Sequence, residues 1–460
     1  MATFRAVVTT GIYCRPGCAA RPLAENVRTF ELAATAEAAG YRACLRCRPY
    51  RVAGPVSTDS PELICRAVRL ILDGVLDGGT EGTLGARLAV SPRHLRRLFN
   101  DHLGVTPDQL ARSRRAHFAR RLLDDSDLAV ADVAFASGFG SLRQFNREMR
   151  QVFLASPSEL RMRRRRADRL AADGGLAMRL PFQPPFDWDG ILGYLADRAV
   201  PGVESVDGRG YRRTISLDGD AGMLEVHPGD QGNLVLRAHL PYWEGLIHVV
   251  ERASRMVGID VDNGPAVAAL SADPVIGPLV SARPGLRVPG AWGEFEVAVH
   301  TVIAQHCGLP MARSRMGALV RRFGQPVPGL THGLTHLFPS AEVLAGADIT
   351  ELGLPYRTAV AVRALAEHVA AGDVVLDSGA ITAELVSCLS AIEGIGADAA
   401  EQIALRLGQR DAFPHSAPYV RRALRELGVL EPVLVAEGWR PWRAVAVAHL
   451  TAYGAAAGAR

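Results

Sequence analysis

A chain of 460 residues, 48% hydrophobic and 22% charged, is long enough for about three or four folded domains and too apolar for a disordered polymer. No apolar run approaches the roughly 20 residues of a membrane helix, so the composition excludes a membrane-spanning reading. The formal charge of +4 hides a division: residues 1–170 carry 28 arginines against 17 acids, the remainder 24 against 31, so the front of the chain is the part built for polyanions.

The first informative stretch is Thr9-Thr10-Gly11-Ile12-Tyr13-Cys14-Arg15-Pro16-Gly17-Cys18, completed by Cys44-Leu45-Arg46-Cys47. Two cysteine pairs with three and two intervening residues, 25 residues apart, can converge as four thiolates on one tetrahedral Zn2+. Two disulfides in a secreted module fit less well. No signal peptide precedes the pairs, and Cys65, Cys307 and Cys388 are scattered, which suits a reducing cytosol. Arg15, Arg21, Arg28, Arg42, Arg46, Arg48 and Arg51 crowd the cysteines, and such a module is drawn to phosphate.

The segment from about Phe4 to Tyr50, with TTGIYCRPGC followed by AAGYRACLRCRP, resembles the methylphosphotriester-accepting zinc domain of Ada-type alkylation-response proteins. The resemblance implies that Cys14 accepts the methyl group and that Cys14, Cys18, Cys44 and Cys47 hold the zinc. The chemistry is coherent in itself, because a metal-bound thiolate stays ionised at neutral pH and can displace a methyl group from a neutral phosphotriester. Four thiolates on Zn2+ carry a charge of about −2, and methylation of one leaves about −1, which weakens repulsion from the DNA backbone. Family members usually carry a further helix and strand before this segment, so the module is expected to be N-terminally short.

From Pro61 to about Arg166 apolar residues recur at three and four, the helical period. Two helix-turn-helix units are legible, through Leu84–Phe99 and through Val130–Arg147, joined by a long helix around Asp108–Leu123. Ser91, followed by Pro92, and Ser141, after a turn with Gly138 and Gly140, are placed to cap the second helix of each unit. Those helices offer Arg93, His94, Arg96 and Arg97, then Arg143, Gln144, Asn146 and Arg147, side chains of the kind that read base edges and phosphates. Leu95, Leu98, Phe99, Leu142, Phe145 and Met149 are expected in the core. Over nearly its full length, including the closing SPSELRMRR, this region resembles the AraC-family DNA-binding domain.

The basic run from Arg161 to Arg169 either extends the last helix or begins a linker, solvated and in nonspecific contact with phosphate, and Ala171–Gly175 marks a boundary. Beyond it, short alternating runs at Arg212–Leu217, Met223–His227 and Asn233–Leu240, with helices at Asp189–Arg198 and Tyr242–Met256, predict an antiparallel sheet with helices on one face. From Trp292 the pattern is helical again. Its landmarks, RVPGAWGEFEVAVHTVIAQ, GLTHLFP and LSAIEGIG, resemble AlkA-type DNA-3-methyladenine glycosylases from about residue 176 to 453. Gly394 and Gly396 look like the hairpin of a helix-hairpin-helix, whose backbone N–H groups approach a phosphate.

That resemblance fails at the pocket. The family's catalytic Asp closes a DAFPxxD segment and stabilises an oxocarbenium-like sugar; here the segment is Asp411-Ala412-Phe413-Pro414-His415-Ser416-Ala417, so the acid position is Ala417. The aromatic residues the family sets after the hairpin correspond to Asp398 and Gln402, and the Trp that often follows the WRPWR segment is absent from His449–Gly454. Asp411 reads as a turn or cap, whereas Asp398 could enter the pocket; His300, His306, His332 and His336 lack metal spacing.

The expected protein is a multidomain α+β chain: an Ada-like zinc module over 1–55, an all-α double helix-turn-helix over 56–170, a TATA-binding-protein-like α/β subdomain over 176–285, and a helix-hairpin-helix glycosylase-like domain over 286–460. The resemblances imply a cytoplasmic, nucleoid-associated, Zn2+-binding regulator of the response to DNA alkylation. Its partners would be double-stranded, alkylated and promoter DNA and RNA polymerase, with no membrane. Two other readings stand beside it: an active bifunctional glycosylase in which Asp398 or Asp411 replaces the lost acid, and a non-enzymatic regulator or lesion sensor.

Overall fold

A computed structural model describes residues 3–51, 60–165, 168–170, 174–230, 232–377 and 379–457. Arg166, Ala171, Ala172 and Asp173, on which the helix end and the boundary were placed, lie outside the described residues. The chain divides into two compact units: Met1–Gln183 with Gly229–Ser254 and Ile259–Asp262, and Pro184–Pro228 with Arg255–Gly258 and Asn263–Arg460. Strands and helices both contribute, as an α+β class requires. No described helix is long and apolar enough to cross a membrane.

The first unit opens with β1 (Phe4–Val7), β2 (Ile12–Cys14), β3 (Val27–Phe30) and β4 (Arg42–Ala43), in sheet order β3-β1-β2-β4, with α1 (Ala33–Ala38) between β3 and β4. Seven helices follow: α2 (Glu62–Leu72), α3 (Glu81–Arg87), α4 (Pro92–Leu103), α5 (Pro107–Asp125), α6 (Val130–Ala136), α7 (Leu142–Phe153) and α8 (Pro157–Met162). The pairs α3/α4 and α6/α7 are the two expected helix-turn-helix units. Ser91 Oγ accepts the His94 N–H and Ser141 Oγ the Gln144 N–H, satisfying amides that no helical carbonyl reaches. Ile64, Val68, Ile71, Leu84, Leu88, Leu95 and Phe99 form the core of the first half, and Ala34 of the small sheet module joins it.

Three expectations need correction. Leu142 is 43% exposed rather than buried, because it is the first residue of α7, ahead of the turn that aims Phe145 and Met149 inward. Leu98 is only partly buried. The basic run is not simply solvated: α8 stops at Met162, Arg164 and Arg169 pair with Asp127 at 2.6 Å, and Arg161 donates to the Leu128 carbonyl. The same unit also holds the strand Leu176–Pro181, paired antiparallel with Asn233–His239.

In the second unit Glu204–Asp207, Gly210–Leu217 and Asp220–Pro228 form an antiparallel meander. The strand Gly210–Leu217 is buried on both faces, against the simple alternation expected of it. Arg212 and Arg213 are tolerated there because Asp207 and Glu225 neutralise the first and Glu296 the second, each at 2.7 Å. The helical remainder buries one large core around Val302, Leu319, Val362, Leu389, Ile403 and Trp439. The long helix Glu294–Phe323 is interrupted at Gly308, φ 74°, two residues before Pro310.

This core carries two uncharged histidines. Burial, and then Arg198 and Arg406, push His300 down to about 3; burial, and then Arg283, push His449 down to about 4. Among the described residues their Nε2 atoms meet no hydrogen-bond partner. Below the unfolded-state value of about 6.5 the unfolded chain binds protons that the folded core refuses. Stability of the second unit should therefore fall by about 1.4 kcal/mol per pH unit for each histidine between about pH 6 and 4. Denaturant unfolding across that range tests this, and His300→Gln should flatten the slope; an unchanged slope would contradict the assignment.

Candidate zinc centre and nucleic-acid interfaces

Parallel pairing of β2 with β4 matches Ile12 to Arg42 and Tyr13 to Ala43, so Cys14 at the end of one strand lies beside Cys44 just past the other. The Cys44 N–H donates to the Tyr13 carbonyl at 3.0 Å. Gly17, at φ 76°, lets the chain turn back to Cys18, and a second turn, closed by Arg48 N–H to Cys44 O at 3.0 Å, presents Cys47. The four sulfurs all lie within 4.8 Å of one another.

Electrostatics test the fit to a metal. Burial drives the Cys14 thiol far above its usual range, with Cys44 and Cys47 adding to the shift; burial also raises Cys47, to about 12, against the Arg15 backbone N–H. Cys18 is lowered, chiefly by the Ala20 backbone N–H. Four thiolates this close require a cation, and soft sulfur donors in this number fit Zn2+. Cys14 is the buried member, 6% exposed, while the other three are part-exposed.

Of the seven arginines near the cysteines, two are not available to phosphate. Arg48 is buried on Asp168 at 2.6 Å and Asp124 at 3.5 Å, and Arg51 reaches Asp124 at 3.2 Å and Asp125 at 3.1 Å. Arg15, Arg21, Arg28 and Arg46 are exposed. Asp124 and Asp125 stand at the end of α5, so the small module is fastened to the helix that joins the two helix-turn-helix units, and Asp168, beyond α8, takes Arg48 as well. A second fastening is Tyr13 OH, which donates to Glu37 Oε1 at 2.7 Å, with His117 Nε2 at 2.5 Å from the same oxygen. Sequence gave no signal for either contact, since each pairs residues about 75 to 100 positions apart.

On α4, Arg93, Arg96 and Arg97 are exposed and His94 part-exposed; Arg96 pairs with Glu81, and Arg97 approaches His94 Nδ1 at 3.1 Å. On α7, Arg143 and Arg147 are exposed and Gln144 and Asn146 part-exposed, with Asn146 turned back onto the Leu142 carbonyl at 2.8 Å.

In the second unit Gly394, φ 83°, shapes the hairpin; a Cβ there would stand 2.7 Å from that of Ala361. Gln305 braces the turn, donating to Gly394 O at 3.2 Å and accepting weakly from Gly396 N–H at 3.4 Å. Gly396 begins the helix Ala397–Arg406. The loop ending at Ala417 is bound to that helix: Phe413 N–H donates to Glu401 at 2.9 Å and Ser416 N–H to Asp398 at 3.0 Å. Ala417 is part-buried and begins the helix Pro418–Glu426 without a side-chain cap. Asp411 is held by Arg440 and by Arg443 at 2.9 Å.

Three family models match in chain order: the metal-binding domain of Ada over residues 2–50, a helix-turn-helix domain over 84–163, and the AlkA N-terminal domain over 177–293. The chain is 38% identical over 454 residues to the "Probable bifunctional transcriptional activator/DNA repair enzyme AlkA" of Mycobacterium tuberculosis, spanning 97% of this chain and 91% of that protein. It is 28% identical over 279 residues to DNA-3-methyladenine glycosylase 2 of Escherichia coli, covering 59% of this chain and 95% of the relative. In fold, 60% of it superposes on 98% of a 3-methyladenine DNA-glycosylase from Archaeoglobus fulgidus, with a TM-score of 0.53 at 21% identity. With its four-cysteine zinc module, DNA-binding helix-turn-helix region and glycosylase-like fold in that order, the chain belongs to the Ada/AlkA family of bifunctional transcriptional activators and DNA repair proteins.

Proposed function

We propose that Cys14 is a single-use methyl acceptor for DNA methylphosphotriesters, and that the glycosylase-like region docks DNA with its base-excision chemistry impaired. The observation that carries the first half is the convergence of the four sulfurs. Cys14, Cys18, Cys44 and Cys47 would hold a zinc ion, which would keep the sulfurs ionised at neutral pH. The Cys14 sulfur attacks the methyl carbon; the S–CH3 bond forms, the C–O bond breaks, and the phosphodiester leaves with the electron pair as an anion. The centre loses one negative charge, and the exposed Arg15, Arg21, Arg28 and Arg46 then hold phosphate more strongly. Arg93, His94, Arg96 and Arg97 on α4, with Arg143, Gln144, Asn146 and Arg147 on α7, read promoter DNA, and repair becomes a signal passed to RNA polymerase at the nucleoid.

The domains then fall at 1–55, 56–170, 176–285 and 286–460. In the last, Gly394 and Gly396 meet the backbone, but Ala417 offers no carboxylate to the sugar and Gln402 no ring to the base. Incubation with methylated DNA, followed by intact-mass and peptide mass spectrometry with released bases measured in the same tube, tests both halves. One added methyl group on Cys14 and base release at background are expected. Ala417→Asp alone should leave excision near background, since the stacking residues are still missing. Excision by the natural chain well above background would sink the second half.

A further inference from the structure

A part-enclosed cavity of about 30 Å3 lies inside the second unit, between the helix Trp188–Arg198, the strand Gly210–Leu217, the start of the helix Glu294–Phe323 and the last turn of the helix Ala397–Arg406. That is room for about two waters. Leu195, Val200 and Met256 give it apolar walls, so charge there is poorly screened. Three arginines and two glutamates line the space. Both acids are already engaged: Glu296 takes Arg213 at 2.7 Å, and Glu204 takes Arg213 at 3.5 Å together with the Tyr211 hydroxyl. Arg198 and Arg406 are left with neutral partners. Arg198 donates to the Tyr194 carbonyl at 3.2 Å and lies 3.7 Å from the centre of the Tyr194 ring, while Arg406 donates to Gly290 O at 2.8 Å and to Tyr194 Oη at 3.4 Å. Among the described residues neither guanidinium forms an ion pair.

The excess positive potential shows in the neighbouring groups. Burial, and then these two arginines, hold His300 uncharged; burial acts to raise Tyr194, yet the same arginines bring it below its usual range. His300, 7% exposed, and Arg406, 9% exposed, each keep a buried nitrogen, Nε2 and Nε, that meets no hydrogen-bond partner among the described residues. Water would meet those nitrogens but leave the two guanidinium charges uncompensated. A phosphate group, with four oxygens, exceeds the space. We propose that Arg198, Arg406 and His300 bind one small monovalent anion of the halide class, the guanidinium groups supplying the charge and His300 Nε2–H a directed hydrogen bond. The anion bridges the helices Trp188–Arg198 and Ala397–Arg406, so its occupancy sets how firmly they are joined. The site is independent of methyl transfer at Cys14 and of base excision.

The test uses the full zinc-loaded chain at fixed pH and ionic strength while gluconate, too bulky for the space, is replaced by chloride. The thermal midpoint of the second unit should rise by about 5 °C, with slower amide exchange along the two bridged helices. Arg198→Met should abolish this dependence, whereas Arg209→Met, which removes an exposed arginine of the same unit, should keep it. A midpoint indifferent to the change of anion, or an equal rise in Arg198→Met, overturns the inference. Crystals of the natural chain soaked in bromide give a reading that needs no variant. Anomalous density beside His300 Nε2 and Arg406 is expected, and a cavity without it at a bromide concentration that raises the midpoint overturns the inference as well.

Discussion

Asp124→Ala lowers the unfolding midpoint of the first unit by roughly 10 °C, the equivalent of about 3–5 kcal/mol. The carboxylate is fully buried and takes Arg120 at 2.7 Å, Arg51 at 3.2 Å, Arg48 at 3.5 Å and Tyr50 OH at 3.0 Å. Removing it leaves buried guanidinium groups facing one another with too little negative charge among them, which costs far more than an exposed ion pair gains. Exposed Asp132 on α6 is the control, and its alanine variant should stay within about 0.5 kcal/mol of the natural chain. Thermal unfolding with amide exchange at the end of α5 separates the two. Equal, small shifts for both variants would show that the buried cluster contributes little.

Removal of zinc has a larger effect still, confined to the sheet module. Its apolar interior is small, formed by Phe4, Ala6, Tyr13, Ala34, Ala36, Tyr41 and Ala43. So little buried surface cannot hold four closely set sulfurs against their mutual repulsion, and structural zinc sites in comparable small modules contribute on the order of 10 kcal/mol to folding. Chelation, or Cys47→Ala, should release about one equivalent of zinc and expose the amides of residues 4–50 to exchange, while α2 to α8 stay protected. Retained protection of β1 to β4 without metal would refute this.

What could be read from sequence was whatever lies close along the chain. The cysteine spacing, the Ser91 and Ser141 caps and the glycine hairpin are local codes, and each stands where its local physics puts it. Contacts between distant segments left no such trace. Tyr13 with His117, and Arg51 with Asp125, depend on how β2 and the end of the module meet α5, which periodicity does not encode. The same limit explains the two arginines misread as phosphate-seeking, since an Arg in a basic run looks alike whether it faces solvent or a buried Asp. In the glycosylase-like region, sequence singled out Ala417 and Asp398 as expectations, but only the fold ties Asp411 to Arg440 and Arg443 and brings Asp398 to Ser416 and His415.

The double fastening of the module to α5 also bears on where a lesion must lie. Tyr13, Tyr50, Arg48 and Arg51 meet His117, Asp124 and Asp125 and so hold Cys14 at a set offset from the helix whose two ends lead to α4 and α6. An acceptor on a loose tether could reach any nearby phosphate; on the proposal that Cys14 accepts the methyl group and that α4 and α7 read bases, the fastened module would work like a gauge block, sampling the backbone at one distance and one rotational angle from those bases. Because B-DNA repeats about every 10.5 base pairs, moving the damaged phosphate by half a turn carries it to the opposite face of the duplex. On that proposal the operator and the damage would be read in phase.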